Sequence, residues 1–244
     1  MTDQVRSELL KLRTVQTVAQ LLLAALGLTL LGVLVEGLPA TPGELAEERR
    51  QRSVLGAGSS GAVFFATLAG LIAVTSEFRY GTIRPTLLFQ PRRRVVLAAK
   101  LVAAALVGIL FAVLCVALAF GVGLAVLAAR DVEVVLTSGD VLELVSGSVA
   151  CSLLSAMVGV AVGALIRNQV GAIVAVVAYS FAVDAVLFAA VPSVGRYLPG
   201  KAGDALAGRP VEDLLQPGIG ALVLAAWTLA LVAAASVRNE RSDV

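Results

Sequence analysis

The chain has 244 residues, 59% hydrophobic and only 15% charged, with a formal net charge of +2 and a mean hydropathy of +0.94. A soluble domain carries about a quarter charged residues, so this composition excludes an ordinary water-soluble fold and makes lipid the main solvent. There is no histidine, which excludes histidine-ligated metal sites, Ser-His and Cys-His dyads and histidine proton relays.

The chain opens on an arm, residues 3–14, reading DQVRSELLKLRT. On a helix Val5, Leu9 and Leu12 line one side, while Arg6, Glu8, Lys11 and Arg13 lie largely elsewhere. Glu8 and Lys11 are three apart, a spacing that supports a helix slightly. The pattern predicts an amphipathic interface helix. It reads either as a charged anchor for the first span or as a docking helix.

A spanning helix needs roughly 20 apolar residues, and six runs qualify: about 15–35, 57–76, 101–129, 141–166, 170–191 and 219–237. Ala and Leu dominate them and the period-2 alternation of a transmembrane barrel strand is missing. The expected fold class is therefore all-α, a polytopic membrane protein with six transmembrane helices. The first run is too long for a signal-peptide core and reads as a retained span. The third carries no charge and is long enough to tilt or to project beyond the bilayer.

Within the runs a few residues stand out. Gly56 to Gly61 is glycine-rich, without a lysine, and reads as a place of close helix approach. In the fourth run Gly147, Cys151, Ser155, Gly159 and Gly163 recur every four residues, a stripe of small side chains that lets a neighbouring helix come close. Packing within one subunit is favoured over a dimer seam. Cys115 and Cys151 fall in apolar runs and read as small packing residues rather than a disulfide. Asp184 interrupts the fifth run. An ionisable residue inside a span is costly and is a functional candidate by default. It reads as a polar site for substrate or a proton, as a structural partner of a nearby polar group such as Ser180, or as a residue close to the outer interface.

The most informative stretch is the basic loop 77–100, with six cations, Arg79, Arg84, Arg92, Arg93, Arg94 and Lys100, beside the lone carboxylate Glu77. Gly81 suits a sharp turn. Thr82 is a good N-cap for a short helix from Ile83, Pro85 is tolerated in its first turn, and Pro91 ends it. Ile83, Leu87 and Leu88 would form its apolar side, with Arg84 elsewhere. Basic residues collect on the cytoplasmic side of membrane spans. With both termini inside, the inner segments hold 12 cations and the outer loops 7. This predicts a multi-pass protein of the cytoplasmic membrane with both termini in the cytoplasm.

Glu77-Phe78-Arg79-Tyr80-Gly81-Thr82, followed by Leu87-Leu88, Pro91, Arg94 and Lys100, resembles the loop signature of ATP-binding-cassette (ABC) type-2 permeases. Six spans, an amphipathic arm, a basic first inner loop, a very short second inner loop and a long last outer loop extend the likeness over nearly the whole chain. Tyr197-Leu198-Pro199 with Ala202 and Ala205 resembles the outer segment such permeases carry before the last span.

The resemblance implies a single permease domain over 1–244, with a cytoplasmic arm at 1–14 and a coupling loop at 77–100. It implies that Thr82 to Phe89 is a coupling helix docking on an ATPase subunit, with Glu77, Arg79, Gly81, Thr82, Ile83, Arg84, Leu87, Leu88 and Arg94 serving that contact. Arg167 and Asn168 would make a minor second contact. The partners implied are two copies of an ABC ATPase, a second permease (identical or similar) and membrane lipids, with no nucleic acid. The sequence has no Gly-rich loop ending in Gly-Lys-Ser/Thr, so no P-loop is present to hold phosphates. ATP and magnesium would sit on the partner, and this chain would bind no cofactor or metal and catalyse nothing itself. The function implied is export of a hydrophobic or amphiphilic substrate. Two other readings stay open: an ion-gradient-driven transporter using Asp184, and a non-transporting membrane scaffold or immunity protein.

Overall fold

A computed structural model describes residues 2–14, 16–82, 85, 88, 90 and 92–241. The fold is all-α, with no strand among the described residues. The arm is α1 (Thr2–Thr14) and the first span α2 (Gln16–Gly37). Two short helices follow, α3 (Pro42–Leu45) and α4 (Glu48–Gly56), and α4 leads almost directly into the second span, α5 (Gly58–Arg79). The third and fourth spans are α6 (Arg93–Ala128) and α7 (Ser138–Ile166). The fifth begins as α8 (Gln169–Ala178), passes through a π-helical turn (Tyr179–Val183) and ends as α9 (Asp184–Ala190). Short helices α10 (Pro192–Gly195) and α11 (Pro199–Leu206) precede the sixth span, α12 (Pro217–Arg241).

Local chemistry sets several of these starts. Thr41 caps α3, its hydroxyl accepting from the Glu44 N–H while the Glu44 carboxylate accepts from the Thr41 N–H at 2.7 Å. Thr137 and Asp140 repeat that box at the start of α7. Such reciprocal caps satisfy two backbone donors that a helix leaves unpaired.

Six helices, α2, the continuous α4–α5 unit, α6, α7, α8–α9 and α12, are long and apolar enough to cross a membrane. They form two shells. The hydrophobic stretches of the second, third and fourth spans are 61%, 50% and 50% buried, against 17%, 17% and 22% for the first, fifth and sixth. Helices α5, α6 and α7 are therefore the packed centre, and the other three lie around it. The contact between α5 and α7 depends on glycine. A Cβ on Gly159 would land inside the Thr67 carbonyl, and one on Gly163 would stand 2.8 Å from the Leu71 carbonyl oxygen. Ser152, on the same helix, donates to the Gly108 carbonyl of α6 at 2.9 Å. The small-residue stripe thus works inside one chain, as expected. Cys115 and Cys151 are buried and free, and Gly58 and Gly61 lie against the backbones of α6 and α2.

The helices overrun the apolar runs that announced them. α5 continues to Arg79 and α6 begins at Arg93, so the loop expected over 77–100 shrinks to 80–92. Val95 to Ala99, apolar themselves, continue α6 inward past Lys100, beyond the run expected to start at 101. Its 36 residues make roughly 54 Å of helix at 1.5 Å per residue, far more than a hydrocarbon core of about 30 Å. Glu77 and Lys100 are therefore helical residues.

Polar contacts collect at the two ends of the bundle. At one end Lys11 meets Glu77, Arg79 reaches Gln169 and Arg93 donates to the Asn239 carbonyl. At the other end Arg130 donates to the carbonyls of Leu38 and Ala40, Arg50 pairs with Glu36 and Arg49 with Glu212. Arg52 of α4 pairs with Glu48 and Asp140. Fully buried Gln51 donates to the carbonyls of Leu45 and Glu133 and accepts from the Val135 N–H. These bonds fasten the segments between spans into one cap.

Candidate functional site

At the end that carries α1, four charges form a closed ring. Lys11 Nζ lies 2.8 Å from Glu8 Oε1 and 3.0 Å from Glu77 Oε1; Lys100 Nζ lies 2.7 Å from Glu8 Oε2 and 2.7 Å from Glu77 Oε1. Two carboxylates and two ammoniums alternate, so each charge has two opposite neighbours. Glu8, Glu77 and Lys100 are almost completely buried, while Lys11 is 43% exposed. Buried charges persist only when paired and hydrogen-bonded, and this ring meets that condition. It joins three segments: the arm, the last turn of the second span and the second turn of the third.

The arm docks on a charge. The amphipathic pattern placed Val5, Leu9 and Leu12 on the packed side of α1. Instead Glu8 is the buried residue among the arm's described side chains, 3% exposed, while Val5 and Leu9 are half-buried; the side chain of Leu12 lies outside the described residues. Burial alone would raise the Glu8 pKa, but Lys100 and then Lys11 outweigh it and hold it below the ordinary carboxylate value. Burial would lower the Lys11 pKa, and its hydrogen bonds to Glu8 and Glu77 instead hold it above the ordinary value.

A cavity of about 610 Å³ lies beside the ring, lined by Ser7, Glu8, Lys11, Glu77, Tyr80 and Thr82 among others. The second oxygen of Glu77, Oε2, is buried with no hydrogen-bond partner among the described residues. The chain then leaves α5 through Gly81, whose φ of +70° is the left-handed turn its sequence suggested. Arg79 donates to Gln169 Oε1 at 3.3 Å, joining the second span to the turn between the fourth and fifth. Thr82 borders the cavity. Ile83, Arg84 and Leu87 lie outside the described residues, and with them most of the helix expected from Thr82 to Phe89. Leu88 is 84% exposed and Tyr80 71%. Arg94 is exposed in the first turn of α6.

In the turn between α7 and α8, Arg167 ends α7 with a left-handed φ of 58°. Its guanidinium lies 5.1 Å from the centre of the Phe78 ring. Burial, with Arg238 and Arg93 nearby, pulls its pKa below the usual guanidinium value. The Asn168 side chain accepts from the Gly171 N–H at 2.9 Å and so caps α8. Both residues shape the turn and lie beside the α5 terminus.

Asp184 is far from this ring in the fold, on the side of α11. It is 5% exposed. The Tyr179 hydroxyl donates to it at 3.1 Å across the π-helical turn, and Lys201 Nζ stands 3.9 Å away. Gly200, in the first turn of α11, leaves room for the carboxylate: a Cβ there would lie 2.6 Å from Asp184 Oδ2. The carboxylate thus faces the positive end of a helix. Its nearest polar partner is Tyr179 rather than Ser180, because the π turn adds a residue and brings position i−5 over the carboxylate.

Sequence reasoning singled out Glu77 and missed Glu8, Lys11 and Lys100 as members of the ring. The signal was present: Lys100 is a lone cation in Val-Val-Leu-Ala-Ala-Lys-Leu-Val, a context that demands a buried carboxylate.

Six apolar helices in two shells, with polar groups gathered at both ends, define an all-α, multi-pass membrane protein. Residues 4–183 match the family described as ABC-2 family transporter protein, and the chain belongs to that family, as a membrane-spanning component of a transporter. A search of curated proteins finds no match.

Proposed function

We propose that the chain is the permease half of an ATP-driven exporter, powered by a separate ABC ATPase. The observation that carries this reading is the ring Glu8–Lys11–Glu77–Lys100. It ties the arm and the ends of two central spans together, directly beside the loop that presents exposed Tyr80 and Leu88. A push on that loop would be delivered to α5 and α6, the packed centre of the bundle, instead of being lost in a flexible connection. Glu77 and Arg79 hold the loop's entry, Gly81 and Thr82 turn it, and Arg94 stands at its exit. Ile83, Arg84, Leu87 and Leu88 would form the docking helix, with Arg167 and Asn168 as a lesser contact.

The excess of cations at this end favours a cytoplasmic position for it and for both termini. ATP and magnesium would be bound by two ATPase copies, and six spans would make one half of a homodimer or of a heterodimer with a similar permease. The sparsely buried first, fifth and sixth spans offer lipid-facing and partner-facing surface. The cargo would be hydrophobic or amphiphilic. Asp184 accepts from the Tyr179 hydroxyl and stands 3.9 Å from Lys201, surroundings that speak against its serving as the ion site of a gradient-driven carrier.

The test is a pull-down from the native membrane in mild detergent, with Glu77→Lys and Arg79→Glu as controls. A P-loop ATPase should co-purify with the unaltered chain and be lost from the charge-reversed ones. If no ATPase co-purifies under conditions that preserve other membrane complexes, the reading fails.

A further inference from the structure

A second cavity, about 660 Å³, lies on the side of the bundle where α11 packs. Phe64, Val158, Val162, Leu224 and Leu231, from three different spans, give it apolar walls. Asp184, Lys201, Asp204 and Arg209 lie at its polar end, with Tyr179 beside them. Lys201 Nζ bonds Asp204 Oδ2 at 2.9 Å, and Arg209 bonds Asp204 Oδ1 at 3.1 Å. The charges run minus, plus, minus, plus and sum to zero. One link is not a hydrogen bond: Lys201 stands 3.9 Å from Asp184, beyond hydrogen-bond reach.

We propose that this cavity binds a membrane amphiphile whose head carries both an ammonium and a phosphate, a zwitterionic phospholipid. The apolar walls take the acyl chains. The ammonium docks on Asp184, whose carboxylate has more acceptor positions than Tyr179 and the Gly200 N–H fill. The phosphate meets Lys201, which spends one of its three donors on Asp204, and Arg209, whose side chain is 38% exposed. A head with only a negative charge would bring no cation to Asp184, the carboxylate without a hydrogen-bonded cation among the described residues, and an uncharged head would leave the split pair as it is. Like-charge juxtaposition is a strong discriminator. The proposal needs only that the chain spans a membrane, and stands apart from the ATPase reading.

The experiment is native mass spectrometry of the full chain released from micelles, offered phosphatidylethanolamine, phosphatidylglycerol or diacylglycerol of equal chain length. Phosphatidylethanolamine should be retained at least about tenfold better than the others, the equivalent of one hydrogen bond to a charged group. Asp184→Asn, which removes the charge that meets the ammonium, should remove most of that preference. Val158→Trp, which fills the apolar end and touches no charge, should remove retention of all three. Equal or better retention of phosphatidylglycerol or diacylglycerol would overturn the proposal. So would undiminished phosphatidylethanolamine retention in a folded Val158→Trp chain. Co-purification of an ATPase with Asp184→Asn, measured in parallel, keeps the two readings separable.

Discussion

At the scale of single residues, the ring at the arm makes a sharp prediction. Glu8→Ala strands Lys100, which is buried and would keep only Glu77. Breaking a buried pair by removing one partner costs about 3–5 kcal/mol, so most of the arm's docking energy should go. Amide hydrogen exchange over residues 4–11 should then accelerate by two or more orders of magnitude, with little change in α7. An unchanged exchange rate would mean that the half-buried apolar residues of α1 hold it without the ring. The pH dependence has a definite sign. Docking lowers the Glu8 pKa, so its contribution is complete above the ordinary 4.5 and is lost as pH falls through the docked value. Docking raises the Lys11 pKa, so that contribution is complete below the ordinary 10.5 and is lost as pH rises through the docked value. Protection of the arm should be flat through neutrality and fall in acid below pH 4.5.

At the scale of elements, the close approach of α5 and α7 is the feature most sensitive to a single methyl group. Gly159 sits where any Cβ would collide with backbone, and backbone cannot move aside as a side chain can. Gly159→Val should therefore cost more than the roughly 1–3 kcal/mol of ordinary overpacking and lower the thermal unfolding midpoint in detergent, if the chain accumulates at all. Gly27→Ala, with open space around the added Cβ in the interior of α2, should leave that midpoint unchanged or raise it slightly. Equal effects of the two would mean that the α5–α7 contact is looser than it looks. This contact was legible beforehand, because a repeat of small residues every four positions marks a helix face whatever it packs on. The six spans were legible for the same kind of reason, since length and apolarity are local. The ends of the helices were less so: α6 runs inward to Arg93 because the apolar residues Val95 to Ala99 continue the helix past Lys100, whose charge interrupted the run in the sequence. The π turn was hidden altogether, as Tyr-Ser-Phe-Ala-Val carries no signal for one extra residue. Glu8 was misplaced because amphipathicity ranks residues by polarity, and a buried ring of charges inverts that ranking.

At the scale of the whole molecule, the question that orders all the others is which end faces the cytoplasm, and the structure supplies positions that decide it. Tyr80, 71% exposed, lies at the end with the charge ring; Glu212, whose side chain is 83% exposed, lies at the opposite end. The two native cysteines are buried and should stay silent to a thiol reagent, so a single introduced cysteine reports its own surroundings. Glu212→Cys gives up only its exposed pair with Arg49, the kind of surface contact that contributes about 1 kcal/mol at most. With the termini inside, a membrane-impermeant maleimide should label Glu212→Cys in intact cells and Tyr80→Cys only after permeabilisation. The reverse pattern would turn the molecule over. The 80–92 loop would then face away from any cytoplasmic ATPase, and the charge ring would need another purpose. Labelling of both positions in intact cells would mean that the six helices do not all cross. The cation excess at the ring end makes the first pattern the expected one, because positive charge is the orienting signal that survives insertion.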